Sequence, residues 1–125
     1  MLFIQVPDKR YWNLVVSALG QIGDWNGLWK FSNGKTPPIG FRPFALVCIQ
    51  AKNFGQAAKY ISRVKDDRNQ IDLYLQIKRP REAAQTALRR REHHDRLPEI
   101  YRACTTEDER GQVMAIMERA GIRVQ

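Results

Sequence analysis

Two adjacent histidines, His93 and His94, are the residues that first invite a chemical reading. On a helix, neighbouring residues point about 100° apart, so this pair cannot act as the i, i+4 ligand pair of a zinc site. Polar residues facing solvent near a turn is the reading their spacing favours. Asp66 and Asp67 form an acidic pair, and Glu107, Asp108 and Glu109 an acidic run. Both fit helix starts, where the backbone dipole favours negative charge. Cys48 and Cys104 stand alone, in no C-x-x-C pair, each on the apolar face of an expected helix. The chain has no G-x-S-x-G, no Walker-type phosphate loop and no H-E-x-x-H. Nothing pairs a nucleophile with an oriented base, so no enzyme, cofactor or metal site is expected.

The remaining chemistry is charge. The chain carries a formal net charge of +8 over 125 residues. Such an excess raises nucleic acid or an anionic membrane surface as partners. The densest patch is 78-KRPREAAQTALRRR-91, where Glu82 alone opposes the bases. Arg89, Arg90 and Arg91 fall at an expected helix C-terminus, where cations complement the dipole without any ligand. The aromatic residues fall mainly at periodic positions and are not interleaved with the bases as a stacking platform requires. No recognition helix stands out. A basic all-α nucleic-acid module therefore stays as the competing reading. Arg79, Arg81, Arg89, Arg90 and Arg91 are the candidate partner-facing residues, against the plainer alternative of solvated surface.

The elements that would hold these residues are helices. A composition of 43% hydrophobic and 27% charged residues is that of a folded soluble chain. The longest apolar run, 44-FALVCI-49, is too short to cross a bilayer. The start lacks the charged region and small-residue cleavage site of a signal peptide. Trp12, Val15, Val16, Leu19 and Ile22 keep the one-face spacing of a helix. So do Phe44, Val47, Cys48 and Ala51; Leu97, Ile100, Tyr101 and Cys104; and Val113, Ile116, Met117 and Ala120. Such stripes are core-forming, and Trp25 and Phe44 are expected inside.

Start and stop signals cut the chain into about eight helices. Pro7-Asp8 opens the first, and Gly20 to Gly23 close it. Asp24 caps the second, which Asn33-Gly34 is expected to end in left-handed backbone. Pro43 opens the third, Asn53 caps the fourth, and Asp66 or Asp67 starts the fifth. Arg79-Pro80 starts the sixth. The seventh spans roughly 94–104, with Pro98 early in it. Thr106 and Glu109 have capping-box spacing for the eighth, and Gly121 ends it. Residues 2–6 are an extended lead-in.

Helices this short, with connections of a few residues, favour antiparallel hairpins. A weak repeat supports them. The segments 52-KNFGQAAKYI-61 and 78-KRPREAAQTA-87 share Lys, then Gln or Glu, then Ala-Ala. The paired alanines would let one helix of a hairpin approach the other closely. The expected fold is all-α, an α-solenoid of about four helix hairpins forming one domain over residues 1–125. A compact helical bundle is the alternative.

The joint 34-GKTPPIGFRPF-44 carries the most specific signal. Read with 7-PDKRYW-12 and 24-DWNGLWKF-31, it resembles the C-terminal region of the vacuolar protein sorting-associated protein 16 family. The matching residues are Asp8, Arg10 and Trp12; then Asp24, Trp25, Leu28 and Phe31. They continue through Pro38, Ile39, Gly40, Phe41, Pro43 and Phe44 to Ala58, Lys59, Tyr60 and Arg63. Beyond Arg63 the likeness is one of helical layout. Pro37, Gly27 and Trp29 depart from the family's usual residues and point to a divergent member or a close paralogue. The resemblance implies the distal solenoid of a longer chain, a core subunit of the HOPS and CORVET tethering complexes. It implies a Sec/Munc-type SNARE-binding subunit and other complex subunits as partners. It also implies a cytoplasmic place, peripheral on late endosome, lysosome or vacuole membranes, and neither nucleic acid nor a small-molecule substrate.

Overall fold

The computed structural model describes residues 8–122, all of whose regular elements are helical. The lead-in expected over residues 2–6 lies outside the described residues. Eight α-helices follow in order: α1 Asp8–Ile22, α2 Trp25–Gly34, α3 Arg42–Gln50, α4 Phe54–Ile61, α5 Asp67–Gln76, α6 Pro80–Leu88, α7 Leu97–Ala103 and α8 Glu107–Arg119. A 3-10 helix, Arg91–Arg96, precedes α7. Consecutive helices pack in pairs: α1 with α2, α3 with α4, α5 with α6, α7 with α8. Each pair is joined by two or three residues, which reverses the chain. The all-α, solenoid-like class of successive hairpins is therefore what the chain adopts. It divides into two compact units, Met1–Val64 and Lys65–Gln125.

The helix starts follow capping chemistry. The Asp24 carboxylate accepts from the Gly27 amide at 2.9 Å, and Asn53 Oδ1 accepts from the Gln56 amide at 3.3 Å. Asp66 accepts from the Arg68 amide, and Pro43 and Pro80 stand in the first turns of α3 and α6. Each satisfies, or never exposes, a donor that the first turn leaves unpaired. Before α8, Thr106 and Glu109 form a full capping box. The Thr105 amide also donates to Glu109, and these bonds hold the Glu109 carboxyl below the usual range.

The helix ends carry the repeat. Lys52 and Lys78 both sit in left-handed backbone, at φ 59 and 60°. Lys52 N–H donates to Ile49 O and Asn53 N–H to Cys48 O; Lys78 and Arg79 repeat the pattern on Leu75 and Tyr74. This double closure is a Schellman ending, and Gly23 and Gly121 occupy the same position after α1 and α8. The repeat seen in the sequence is thus a duplicated turn that delivers a pair of alanines to a packed face. A left-handed lysine costs about 1–2 kcal/mol, partly offset by the chain entropy that glycine would lose. Lys78→Gly should therefore raise stability by about 0.5–1 kcal/mol, read as a higher urea midpoint with an unchanged slope. A lowered midpoint would mean that the lysine stem holds a compensating contact.

In unit 1, six aromatic rings fill the core and its margin. Phe44, fully buried, stacks on Tyr60 at 5.4 Å between centroids. Trp12, Phe31 and Phe41 lie within 6.4 Å of it, and Trp12 meets Phe31 at 4.1 Å. Trp29 touches Tyr60 from the margin at 5.7 Å. Gly20 lies inside α1 and does not end it: a Cβ there would stand 2.8 Å from Val47 Cβ, so bare backbone lets α1 reach α3. Burial pushes the Tyr60 hydroxyl up to about 12 and the Cys48 thiol to about 11.

Four expectations change. Ile22 is 74% exposed, because α1 buries Trp12, Val16 and Gly20 instead. Trp25 is partly exposed, and α2 buries Leu28 and Ser32. Gly34 does not turn left-handed; α2 runs through it and Lys35 leaves in extended backbone. The joint then turns at Gly40, at φ +73°, whose amide bonds Pro37 O. The seventh helix is split, since α7 begins at Leu97 and a 3-10 segment carries the histidines.

Unit 2 is built on α6, which packs on α5, α7 and α8. Ala83, Ala84 and Ala87 are fully buried, as are Ile71, Leu97, Ile100 and Val113. A helix surrounded this closely needs small side chains, because each added methylene would push a neighbour away.

Candidate interaction surface

The five candidate arginines ride on α6, its ends and the start of the 3-10 segment, which Arg91 opens. Arg79 is the residue before α6, Arg81 lies in its first turn, and Arg89 follows its last residue. Arg81, Arg89, Arg90 and Arg91 are exposed, and Arg79 is partly so. Nine helical residues at about 1.5 Å each separate the two groups by roughly 14 Å. Arg79 and Arg89 nonetheless act on the same group, the Tyr74 hydroxyl. Burial and the Glu82 carboxylate raise that hydroxyl's pKa, and the two cations oppose them. Residues 79, 82, 86 and 89 follow helical one-face spacing, so this ridge presents Arg, Glu, Thr and Arg in turn.

Arg90 stands apart. Its Nε lies 3.1 Å from Asp67 Oδ2, and its far nitrogen 3.7 Å from Glu92. These groups, with Lys65, Asp66, Arg68 and His93, line a polar cavity of about 240 Å³. Cations and carboxylates alternate there, so the cavity is balanced rather than anionic or cationic. His93 and His94 are half-buried, not solvent-facing; His94 Nε2 sits 3.0 Å from Leu88 O. His94 thereby braces the 3-10 segment against the end of α6. Arg96 anchors the far side of that segment between Glu99, at 2.5 Å, and Asp72, at 2.6 Å. The Glu99 bond, with Asp72, holds its pKa above the ordinary guanidinium value despite desolvation.

A second constellation, in unit 1, escaped the charge-based reading. The Arg63 guanidinium lies over the Trp29 ring at 4.7 Å and the Phe41 ring at 5.4 Å. It donates to Asn33 Oδ1 at 2.7 Å, while Asn33 Nδ2 donates to Trp29 O. Lys59 approaches the Trp29 ring at 5.4 Å. Cation–π contacts of this kind fix an arginine that is otherwise free in solvent. The signal in the sequence was Trp29 itself, an aromatic on the polar side of a helix.

Among the described residues no group of His, Cys, Asp and Glu could hold a metal ion. No described helix is long and apolar enough to cross a membrane. Both thiols are pushed up by burial, Cys104 also by the Glu109 carboxylate, which keeps them protonated at neutral pH.

The family described as "Vps16, C-terminal region" matches residues 3–121. The chain belongs to this family. The match to the Vps16 C-terminal region runs far beyond Arg63, where the residue-by-residue likeness ended, and takes in all of α5 to α8. A vacuolar protein sorting-associated protein 16 homolog of Dictyostelium discoideum is 42% identical over 104 residues, 83% of this chain and 12% of that protein. Protein VACUOLELESS1 of Arabidopsis thaliana is 43% identical over 83 residues, 66% of this chain and 10% of its own length. A vacuolar protein sorting-associated protein 16 homolog of Drosophila melanogaster is 36% identical over 90 residues, 72% of this chain and 11% of that one. The chain thus spans about a tenth of the length of these relatives. No solved structure matches it.

Proposed function

We propose that this chain is a non-enzymatic, helical scaffold segment of a vesicle-tethering subunit, working in transport to the vacuole or lysosome. The observation that carries the reading is the family match over residues 3–121. The names of the relatives, a vacuolar protein sorting-associated protein 16 homolog and VACUOLELESS1, support the vacuolar setting. The raised pKa values of Cys48 and Tyr60 come from burial, and that of Arg96 from its bonds to Glu99 and Asp72. The work such a chain does is geometric. Hairpin packing holds exposed side chains at fixed spacing for partner subunits to read. In this reading the segment belongs to HOPS- and CORVET-type complexes, is peripheral on endosomal, lysosomal or vacuolar membranes, and contributes to recruiting a Sec/Munc-type SNARE-binding subunit. Arg79, Arg81, Arg89 and Arg91 face partners, while Arg90 stays with Asp67.

Charge reversal tests this. The full-length protein carrying Arg79→Glu, Arg89→Glu and Arg91→Glu together should bind its Sec/Munc-type subunit at least about tenfold more weakly, a change of about 1.4 kcal/mol or more. Unchanged binding would remove the arginines from that interface. Tight binding of the unaltered protein to generic oligonucleotides, with a steep salt slope, would instead favour the nucleic-acid reading.

A further inference from the structure

Unit 1 carries positive charge that its own acids do not answer. Residues 1–64 hold eight Lys or Arg against two acids, Asp8 and Asp24. Asp24 is engaged by the Gly27 amide as the cap of α2. Every ion pair among the described residues lies in unit 2. Among the cations of unit 1, Arg63 is the one held by rings. Its guanidinium lies over Trp29 at 4.7 Å and Phe41 at 5.4 Å, and its Nη1 donates to Asn33 Oδ1 at 2.7 Å. Arg63 is exposed, and both rings are partly exposed. The Asn33 bond uses Nη1 and leaves Nε and Nη2 free for a ligand. These two nitrogens form one edge of the guanidinium, with parallel N–H groups spaced to meet both oxygens of a carboxylate. Lys59, also exposed, brings a second cation to the same Trp29 ring at 5.4 Å.

An arginine stacked in this way has lost its rotamer freedom before a partner arrives, so less is lost on binding. We propose that Arg63, with Trp29 and Lys59, is a docking point for an acidic segment of a partner protein, one of whose Asp or Glu carboxylates bridges Nε and Nη2 of Arg63. Charge complementarity selects this occupant. A second copy of unit 1 would bring the same excess of cations. An anionic bilayer is favoured by aromatic side chains that enter its interface, and here the Trp29 ring is already covered by Arg63 and Lys59. The inference concerns residues of unit 1 alone and does not rest on the tethering role or on the α6 arginines, so each can fail without the other.

The test is peptide binding to the full-length protein at low salt, with fluorescein-labelled hexaglutamate as the probe and fluorescence anisotropy as the readout. Arg63→Lys keeps the charge but loses the paired donors and the planar stack, and should weaken binding at least about fivefold. Trp29→Leu leaves the net charge unchanged and should weaken it at least about threefold, by freeing Arg63. Lys52→Asn removes a whole charge at the opposite end of α4 and keeps a residue that tolerates left-handed backbone, so binding should stay within about twofold of the parent. Circular dichroism reports whether Trp29→Leu has kept its fold; the exposed Arg63→Lys decides if it has not. Absence of hexaglutamate binding, or Arg63→Lys binding it as the parent does, would overturn the inference. So would a loss with Lys52→Asn as large as with Arg63→Lys, which means diffuse charge. Binding to phosphatidylserine–phosphatidylcholine vesicles in place of the peptide, lost with Arg63→Lys, would assign the site to a lipid surface and overturn it as well.

Discussion

Phe44→Ala is expected to lower the unfolding free energy by about 3–5 kcal/mol. Phe44 is fully buried, and its ring meets Trp12, Phe31, Phe41 and Tyr60. Those neighbours come from α1, α2, the joint before α3, and α4. Removing the ring costs the transfer of its surface and leaves a cavity that four separate segments would have to collapse to fill. Rings held by different helices cannot all move inward at once, so the cavity term stays large. Chemical denaturation of the purified variant reads the effect. Trp25→Ala gives the scale, because that side chain is partly exposed and its loss should cost clearly less. A Phe44→Ala protein that unfolds with the parent would place the core of unit 1 elsewhere.

The second large effect has the opposite chemistry. Ala83→Leu should destabilise by about 1–3 kcal/mol, and by more if α6 cannot shift. Leucine and alanine differ little in helix propensity, so the whole change reports packing. Ala83 is fully buried, on the face of α6 that packs against its neighbouring helices. Gln85→Leu, two residues on and exposed, makes the same helix more apolar without touching that face. It should stay within about 0.5 kcal/mol of the parent. If both variants melt alike, the alanines of the repeat are not what lets α6 sit so close.

These two positions also mark what the sequence made legible. Phe44 and the alanine pairs were readable because periodicity and small-residue spacing are local, and local chemistry survived folding. The caps were readable for the same reason: Asp24, Asn53, Asp66 and Thr106 each bond an amide two or three residues away. The misread positions are those that distant partners decide. Ile22 keeps the spacing of the core stripe, yet α1 turns the Trp12–Val16–Gly20 ridge inward because Gly20 lets it reach Val47. Trp25 opens α2 at a point where the neighbouring helices do not cover it. Gly34 ends α2 as its composition suggests, but in helical rather than left-handed backbone, with Asn33 drawn to Trp29 and Arg63. Of the candidate surface, the sequence placed Arg79, Arg81 and Arg89 on α6 and its ends, whereas Arg91 opens the 3-10 segment. It could not foresee that Asp67 would bind Arg90 across 23 positions, nor that Arg63 would settle between two rings.

All three tryptophans, Trp12, Trp25 and Trp29, fall in residues 8–64, and none falls in unit 2. Trp29 is further dressed by Arg63, Lys59 and Tyr60. Tryptophan emission is therefore a private optical channel to the first unit. Far-ultraviolet circular dichroism sees the helices of both. Superposing the two traces across a single denaturant series turns the division of the chain into a spectroscopic question: coincident curves mean one cooperative molecule, and separated curves mean two melts that share a backbone.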